Sequence, residues 1–141
     1  IIIYAALLGG LAVMLGALGA HALKDLLEEK SLLSFNTGVR YQALHAIALL
    51  VIGFSDKEFR FKSLVFRLWL WGTLLFSFSI YLLSTTEISG LALNFLGPIT
   101  PIGGILLIGG WIMLAKFKTI LTSLYSIRFN FAPLIFFEKK T

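Results

Sequence analysis

Two histidines, His21 and His45, and the short cluster Arg40, Tyr41 and Gln42 are the residues whose types and spacing best suit chemistry in this chain. The stretch TGVRYQALHA (37–46) places an arginine, a glutamine and a histidine within six positions of an otherwise apolar run. Imidazoles bind metals and shuttle protons, and a guanidinium binds anions. On a helix, Thr37, Gly38, Tyr41 and His45 share one face, Arg40 and Gln42 flank it, and His45 lies about 7 Å deeper than Arg40.

A metal site is not expected. Two imidazoles do not complete a tetrahedral site, the chain has no cysteine, and further ligands would have to come from loop carboxylates. Nucleophilic catalysis is equally thin. Ser77, Ser79 and Thr100 are within conceivable reach of a histidine, but hydroxyls in membrane helices usually bond to backbone or to neighbouring helices. No G-x-S-x-G, phosphate-loop or dinucleotide pattern occurs. No catalytic residue, metal or cofactor is therefore assigned, and ligand binding is the chemistry that remains.

The elements that position these residues follow from composition. Of 141 residues, 58% are hydrophobic and 13% charged, with a mean hydropathy of +0.93. A soluble domain carries roughly 25% charged residues, so a chain this apolar cannot dress a surface for water. The bilayer is its solvent. The net charge of +5 reads as membrane topology and not as a nucleic-acid footprint, because the basic residues sit between apolar runs.

Four runs approach the roughly 20 apolar residues that cross a bilayer. They cover about 1–23, 37–54, 64–83 and 99–115, which predicts an all-α, polytopic four-helix bundle over 1–115. Pro101 falls in the first turn of the fourth run, where its missing N–H costs little. The first run contains Ala5, Gly9, Ala12, Gly16 and Ala20, a small-xxx-small pattern that lets helices approach closely in lipid. Packing within the chain is the simpler use of that pattern, and a homo-oligomer seam is the other. Ala20-His21-Ala22 also matches a signal-peptidase site, but the apolar run before it exceeds the roughly 7–15 residues of a signal core. The chain opens without Met, so a few N-terminal residues are expected to be missing.

Loop charges set the orientation. Lys57, Arg60, Lys62 and Arg67 lie between the second and third runs, and Lys116 and Lys118 follow the fourth. The first loop balances Lys24 and Lys30 against Asp25, Glu28 and Glu29, and the last has no Lys or Arg. The positive-inside rule then puts both termini in the cytoplasm. Its leucines make the first loop amphipathic, suited to the outer leaflet surface or to capping the bundle.

With these boundaries His21 and Lys24 end the first span, Arg40 opens the second, Tyr81 ends the third and Thr100 opens the fourth. An outward-facing polar cluster results, with Arg40, His45, Gln42, Tyr41, His21, Lys24 and Thr100 as candidate ligand-binding residues. Arg40 would sit near a helix N-terminus, where the dipole favours anions. It therefore needs a counter-charge: Asp25, Glu28, Glu29, Glu87, a lipid phosphate or a bound anion.

GALGAHALK, FNTGVRYQALHAIALL, GTLLFSFSIYLL and LGPITPIGGILLIGGWIMLA together resemble the membrane-protein family called domain of unknown function 423, also known as uncharacterised protein family 0382. They are similar to the transmembrane protein 256-like proteins of eukaryotes. The resemblance covers roughly residues 4–115. It implies a four-span protein of the bacterial inner (plasma) membrane and names no reaction. The chain departs from the family at Phe78, where a glycine usually stands between the two serines; a ring there is expected to widen or reorient a helix contact. It also departs in the basic, aromatic tail (116–141). A fifth span over 119–137 would place Arg128 near its centre at about 2.5–3.5 kcal/mol, so an interfacial or poorly ordered tail is expected.

The functional expectation is a small, non-enzymatic accessory or lipid- and anion-interacting membrane protein. Its partners would be membrane lipids, with a homo-oligomer possible and no nucleic acid. The alternative is an oligomeric transport component for small or anionic solutes. All seven carboxylates lie outside the four runs, which disfavours a proton- or cation-coupled carrier.

Overall fold

The computed structural model describes residues 1–55, 61–91 and 93–116, and all regular structure among them is helical. Helix α1 (Ile2–His21) is an uninterrupted run of apolar and small residues. It closes on a compact turn in which the amides of Ala22 and Leu23 both donate to the Leu18 carbonyl. Helix α2 (Glu29–Phe54) has 26 residues, about 39 Å at 1.5 Å per residue and longer than the roughly 30 Å hydrocarbon core.

The start of α2 corrects one expectation. The helix begins at Glu29 and not near Thr37, because no Gly or Pro interrupts 29–37 and Leu32, Phe35 and Val39 continue the apolar face at helical spacing. Hydropathy alone sees only the later, greasier part. Arg40 therefore lies eleven residues beyond the first helical residue, outside the first turn over which the N-terminal end of a helix dipole acts. The dipole argument for an anion at Arg40 does not apply.

The third span runs from Lys62 to Ser84 in three pieces. Helix α3 (Lys62–Thr73) passes into a π-helical turn (Leu74–Phe78) and then into α4 (Ser79–Ser84). Lys62 Nζ donates to the Ser55 carbonyl at 2.9 Å, closing the C-terminal end of α2. A short helix, α5 (Thr86–Ser89), and a 3₁₀ turn (Asn94–Leu96) lead into the last helix, α6, over 99–116. Pro101 is in its first turn. Four helices are thus long and apolar enough to cross a membrane.

Small residues set the packing distances. Ala5, Ala12 and Gly19 on α1 are buried, and Gly9 and Gly16 stand over Ala46 and Val39 of α2. The glycine and alanine pattern thus serves packing inside the chain. A Cβ on Gly72 would come within 2.7 Å of Leu107, and one on Gly103 would strike the backbone of Phe76 in the π turn. So α6 seats directly on the third span. One apolar cluster joins Leu8, Leu49, Val65, Trp69 and Leu107. A second, of Leu23, Leu27, Phe35 and Tyr81, shows the first loop capping the bundle. Phe78 is 37% exposed, with its ring edge-on to Tyr81 of its own span at 5.8 Å. The tail beyond 116 and the basic residues Lys57 and Arg60 lie outside the described residues.

Candidate functional site

A buried polar network runs through the bundle interior. Gln42, fully buried on α2, donates from Nε2 to the Leu8 carbonyl of α1 at 2.8 Å and accepts from the Tyr81 phenol at 2.9 Å. One amide therefore ties three helices. Four residues earlier on the same face, Gly38 makes room for the third span: a Cβ there would stand 2.7 Å from the Tyr81 ring. That approach lets Ser77 Oγ donate to the Gly38 carbonyl at 2.9 Å.

The π turn distributes the hydroxyls. Ser77 and Tyr81, four apart, face α2, whereas Ser79 lies roughly 200° round from Ser77 and faces α6. There Ser79 Oγ and Thr100 Oγ1 are 2.7 Å apart, and Ser79 also donates to the Phe76 carbonyl at 2.9 Å. Such back-bonds compensate carbonyls whose ladder partners shift at a π turn.

His45, 1% exposed, forms a second knot. Trp111 Nε1 of α6 is 3.1 Å from His45 Nε2, and His45 Nδ1 is 2.8 Å from the Tyr41 carbonyl. An indole N–H only donates and a carbonyl only accepts, so the two contacts require a neutral ring protonated at Nδ1. Trp69 and Trp111 stand edge-on to the same imidazole at 5.9 Å and 6.1 Å, and their own rings are 4.7 Å apart. Two buried polar atoms nearby, Trp69 Nε1 and Thr73 Oγ1, have no hydrogen-bond partner among the described residues.

The residues singled out in the sequence are divided by this arrangement. Gln42, His45 and Thr100 enter the interior network, and Tyr41 joins it through its carbonyl. The Tyr41 ring itself is 43% exposed and leans on Phe76 at 4.8 Å. Arg40, His21 and Lys24 are exposed and have no hydrogen-bond or ion-pair partner among the described residues. None of Asp25, Glu28, Glu29 or Glu87 pairs with Arg40; Glu87 instead accepts from Ser31 at 3.1 Å. The expectation of one cluster holding all seven is therefore corrected. Arg40 and Gln42 are two residues apart, about 200° around the helix, so burying the amide turns the guanidinium outward.

The sequence points to helix–helix hydrogen bonding and not nucleophilic chemistry for Ser77 and Ser79, and marks Tyr81 only as a span end; it singles out none of Trp69, Thr73 and Trp111. The available signal was IGGW: Gly110, whose Cβ would collide with the Trp69 indole, sits beside the tryptophan that reaches His45. No group of three or more His, Cys, Asp or Glu side chains able to hold a metal ion occurs among the described residues.

Comparison with known proteins agrees with this architecture. A family model described as "Protein of unknown function (DUF423)" matches residues 15–104. The chain is 45% identical over 107 residues to the UPF0382 membrane protein YwdK of Bacillus subtilis, covering 74% of this chain and 83% of that protein. It is 44% identical over 111 residues to a UPF0382 membrane protein of Haemophilus influenzae (78% and 86% covered). It is 32% identical over 118 residues to the UPF0382 inner membrane protein YgdD of Escherichia coli (80% and 84% covered). No solved structure matches the chain at a significant level. With its four apolar helices and these relatives, the chain belongs to the DUF423 (UPF0382) family of membrane proteins.

Proposed function

We propose that this protein is a non-enzymatic accessory component of the bacterial inner membrane that holds anionic lipid headgroups through Arg40, with both termini in the cytoplasm. The observation that carries this reading is a contrast between two kinds of polar side chain. Gln42, His45, Ser77, Ser79 and Tyr81 are bonded across the helices, which leaves them poorly suited to lining a solute path. Arg40 is exposed on a spanning helix with no carboxylate against it among the described residues.

A guanidinium at the edge of the hydrocarbon must pair or snorkel toward the interface. The anion it meets there is a phosphodiester, which arginine grips with two parallel hydrogen bonds. The low positive charge of the first and last loops supports placing Arg40 toward the outer leaflet. The printed name of the E. coli relative supports the inner membrane.

The test is mass spectrometry of lipids that co-purify with the protein in mild detergent. Arg40→Ala should lose most of the retained anionic lipid, whereas Arg67→Ala, at the opposite end of the bundle, should not. Equal retention by the Arg40 variant and the parent protein rules the reading out.

A further inference from the structure

Where the first loop and α5 meet, the start of α2, the end of the third span and the start of α6 part around a cleft of about 400 Å³. This is within the roughly 300–1,000 Å³ of small-molecule sites. Its charged lining is Glu28, Lys30 and Glu87, and Ile80 and Leu83 supply an apolar wall. Arg40 does not line it.

Two independent features mark this cleft as a binding site. The first concerns charge. Glu28, Lys30 and Glu87 share the space without forming an ion pair, and Glu87 spends one oxygen on Ser31. The second is Ser84, which lines the cleft, is only 5% exposed and has no hydrogen-bond partner for its hydroxyl among the described residues. Hydroxyls nearby are bonded within the chain: Ser34 to the Lys30 carbonyl, Thr85 to the Tyr81 carbonyl and Ser31 to Glu87. Ser84 is not: its side chain is largely buried while its hydroxyl opens on the cleft, which leaves a hydrogen bond there for a ligand to make.

The charge pattern specifies the ligand. Two carboxylates beside one ammonium suit a zwitterion whose cationic end is the better held. A divalent cation fits poorly, since no third acid or imidazole completes the set among the described residues and Lys30 would repel it. We propose that the cleft binds a primary ammonium tethered to a phosphate. The ammonium donates to Glu28 and Glu87, Lys30 meets the phosphate, Ser84 supplies a further hydrogen bond, and Ile80 and Leu83 cover the methylenes. That group occurs as the headgroup of phosphatidylethanolamine and as free phosphoethanolamine. A quaternary ammonium has no N–H to give the carboxylates, so choline analogues should be rejected.

The experiment uses delipidated full-length protein in detergent. Binding of phosphatidylethanolamine is compared with that of phosphatidylcholine of the same acyl chains by native mass spectrometry, and soluble phosphoethanolamine is compared with phosphocholine by calorimetry. At least one primary-ammonium probe should bind about tenfold more tightly than its trimethyl counterpart, the worth of one charge-assisted hydrogen bond. Glu87→Gln, at an exposed position, should remove that preference, and Glu29→Gln, outside the cleft, should not. Preference in the lipid pair alone identifies a headgroup site, and preference in the soluble pair identifies a free-zwitterion site. Equal binding within both pairs overturns the proposal without any variant, and so does an unchanged preference in Glu87→Gln. Anionic lipid at Arg40 and ammonium selectivity at Glu87 are read from different residues and different probes, so either idea can fail alone.

Discussion

Tyr81 and Gln42 meet through a 2.9 Å hydrogen bond from phenol to amide oxygen, and neither side chain is accessible at the bundle surface. The bond fixes the amide orientation, because the phenol proton needs an acceptor and the Leu8 carbonyl needs a donor from the other end of the same group. In lipid there is no hydrophobic force between helices, so such a bond and the close glycine contacts beside it carry the association.

Removing members of this bridge should therefore give an ordered set of losses. Tyr81→Phe keeps the ring that packs on Phe35 at 4.8 Å and deletes one interhelical bond, for a cost of about 1 kcal/mol. Gln42→Leu deletes two bonds and should cost more, about 2 kcal/mol. The double variant should lose less than the sum, because no unpaired partner then remains between the two positions. Unfolding titrations in mixed micelles measure all three; strict additivity would show that the two groups do not interact.

Much of this architecture is visible in the sequence, and the parts that are not have physical reasons. Apolar runs of bilayer length identify the four helices, and the small residues of α1 announce a close contact. The start of α2 is hidden because Glu29, Lys30 and Ser31 lower the hydropathy while leaving the helical period of Leu32, Phe35 and Val39 intact. The division between Arg40 and Gln42 is contained in the 100° step, yet choosing which one faces inward depends on α1 and the third span. No local pattern encodes the π turn, where Gly103 of a helix distant in sequence packs against the backbone of Phe76.

The imidazole of His45 should be observable as the Nδ1–H tautomer. In ¹⁵N-labelled protein the Nδ1 resonance is expected in the protonated range and the Nε2 resonance in the bare, hydrogen-bond-accepting range. Trp111→Phe removes the only donor to Nε2 among the described residues and should move that resonance while leaving Nδ1 near its original position. A protonated Nε2 in the parent protein would refute the assigned contact with Trp111.

Glycines at two sites should respond oppositely to a methyl group. Gly103→Ala forces a Cβ into the Phe76 backbone, which cannot swing aside as a flexible side chain would, and should destabilise by about 1–3 kcal/mol. Gly10→Ala meets nothing within 4 Å and should be neutral or stabilising by up to about 1 kcal/mol through helix propensity. Thermal unfolding of the two variants in the same detergent compares them directly. Similar losses at both positions would mean that Gly10 faces a partner, most simply a second copy of the chain.

A π turn is one extra residue inside an α-helical register, so deleting a residue from it should restore the α-helix without rotating either flank. Phe78 is the suitable residue to delete, since its side chain is half-exposed and lies within Leu74–Phe78. Its loss should leave Trp69 and Tyr81 facing their present neighbours, with the main penalty confined to the Ser77 bond to Gly38. Deleting Leu44, which is 52% exposed, removes an equally dispensable side chain from α2, a helix with no such slack. There the deletion rotates His45 and Leu49 by about 100° relative to Gly38 and Gln42, and both apolar clusters lose their alignment. The Phe78 deletion should accumulate in membranes as a folded, protease-resistant protein and the Leu44 deletion should not. If both are degraded alike, the irregular turn is not a surplus residue but a fixed part of the contact with α6.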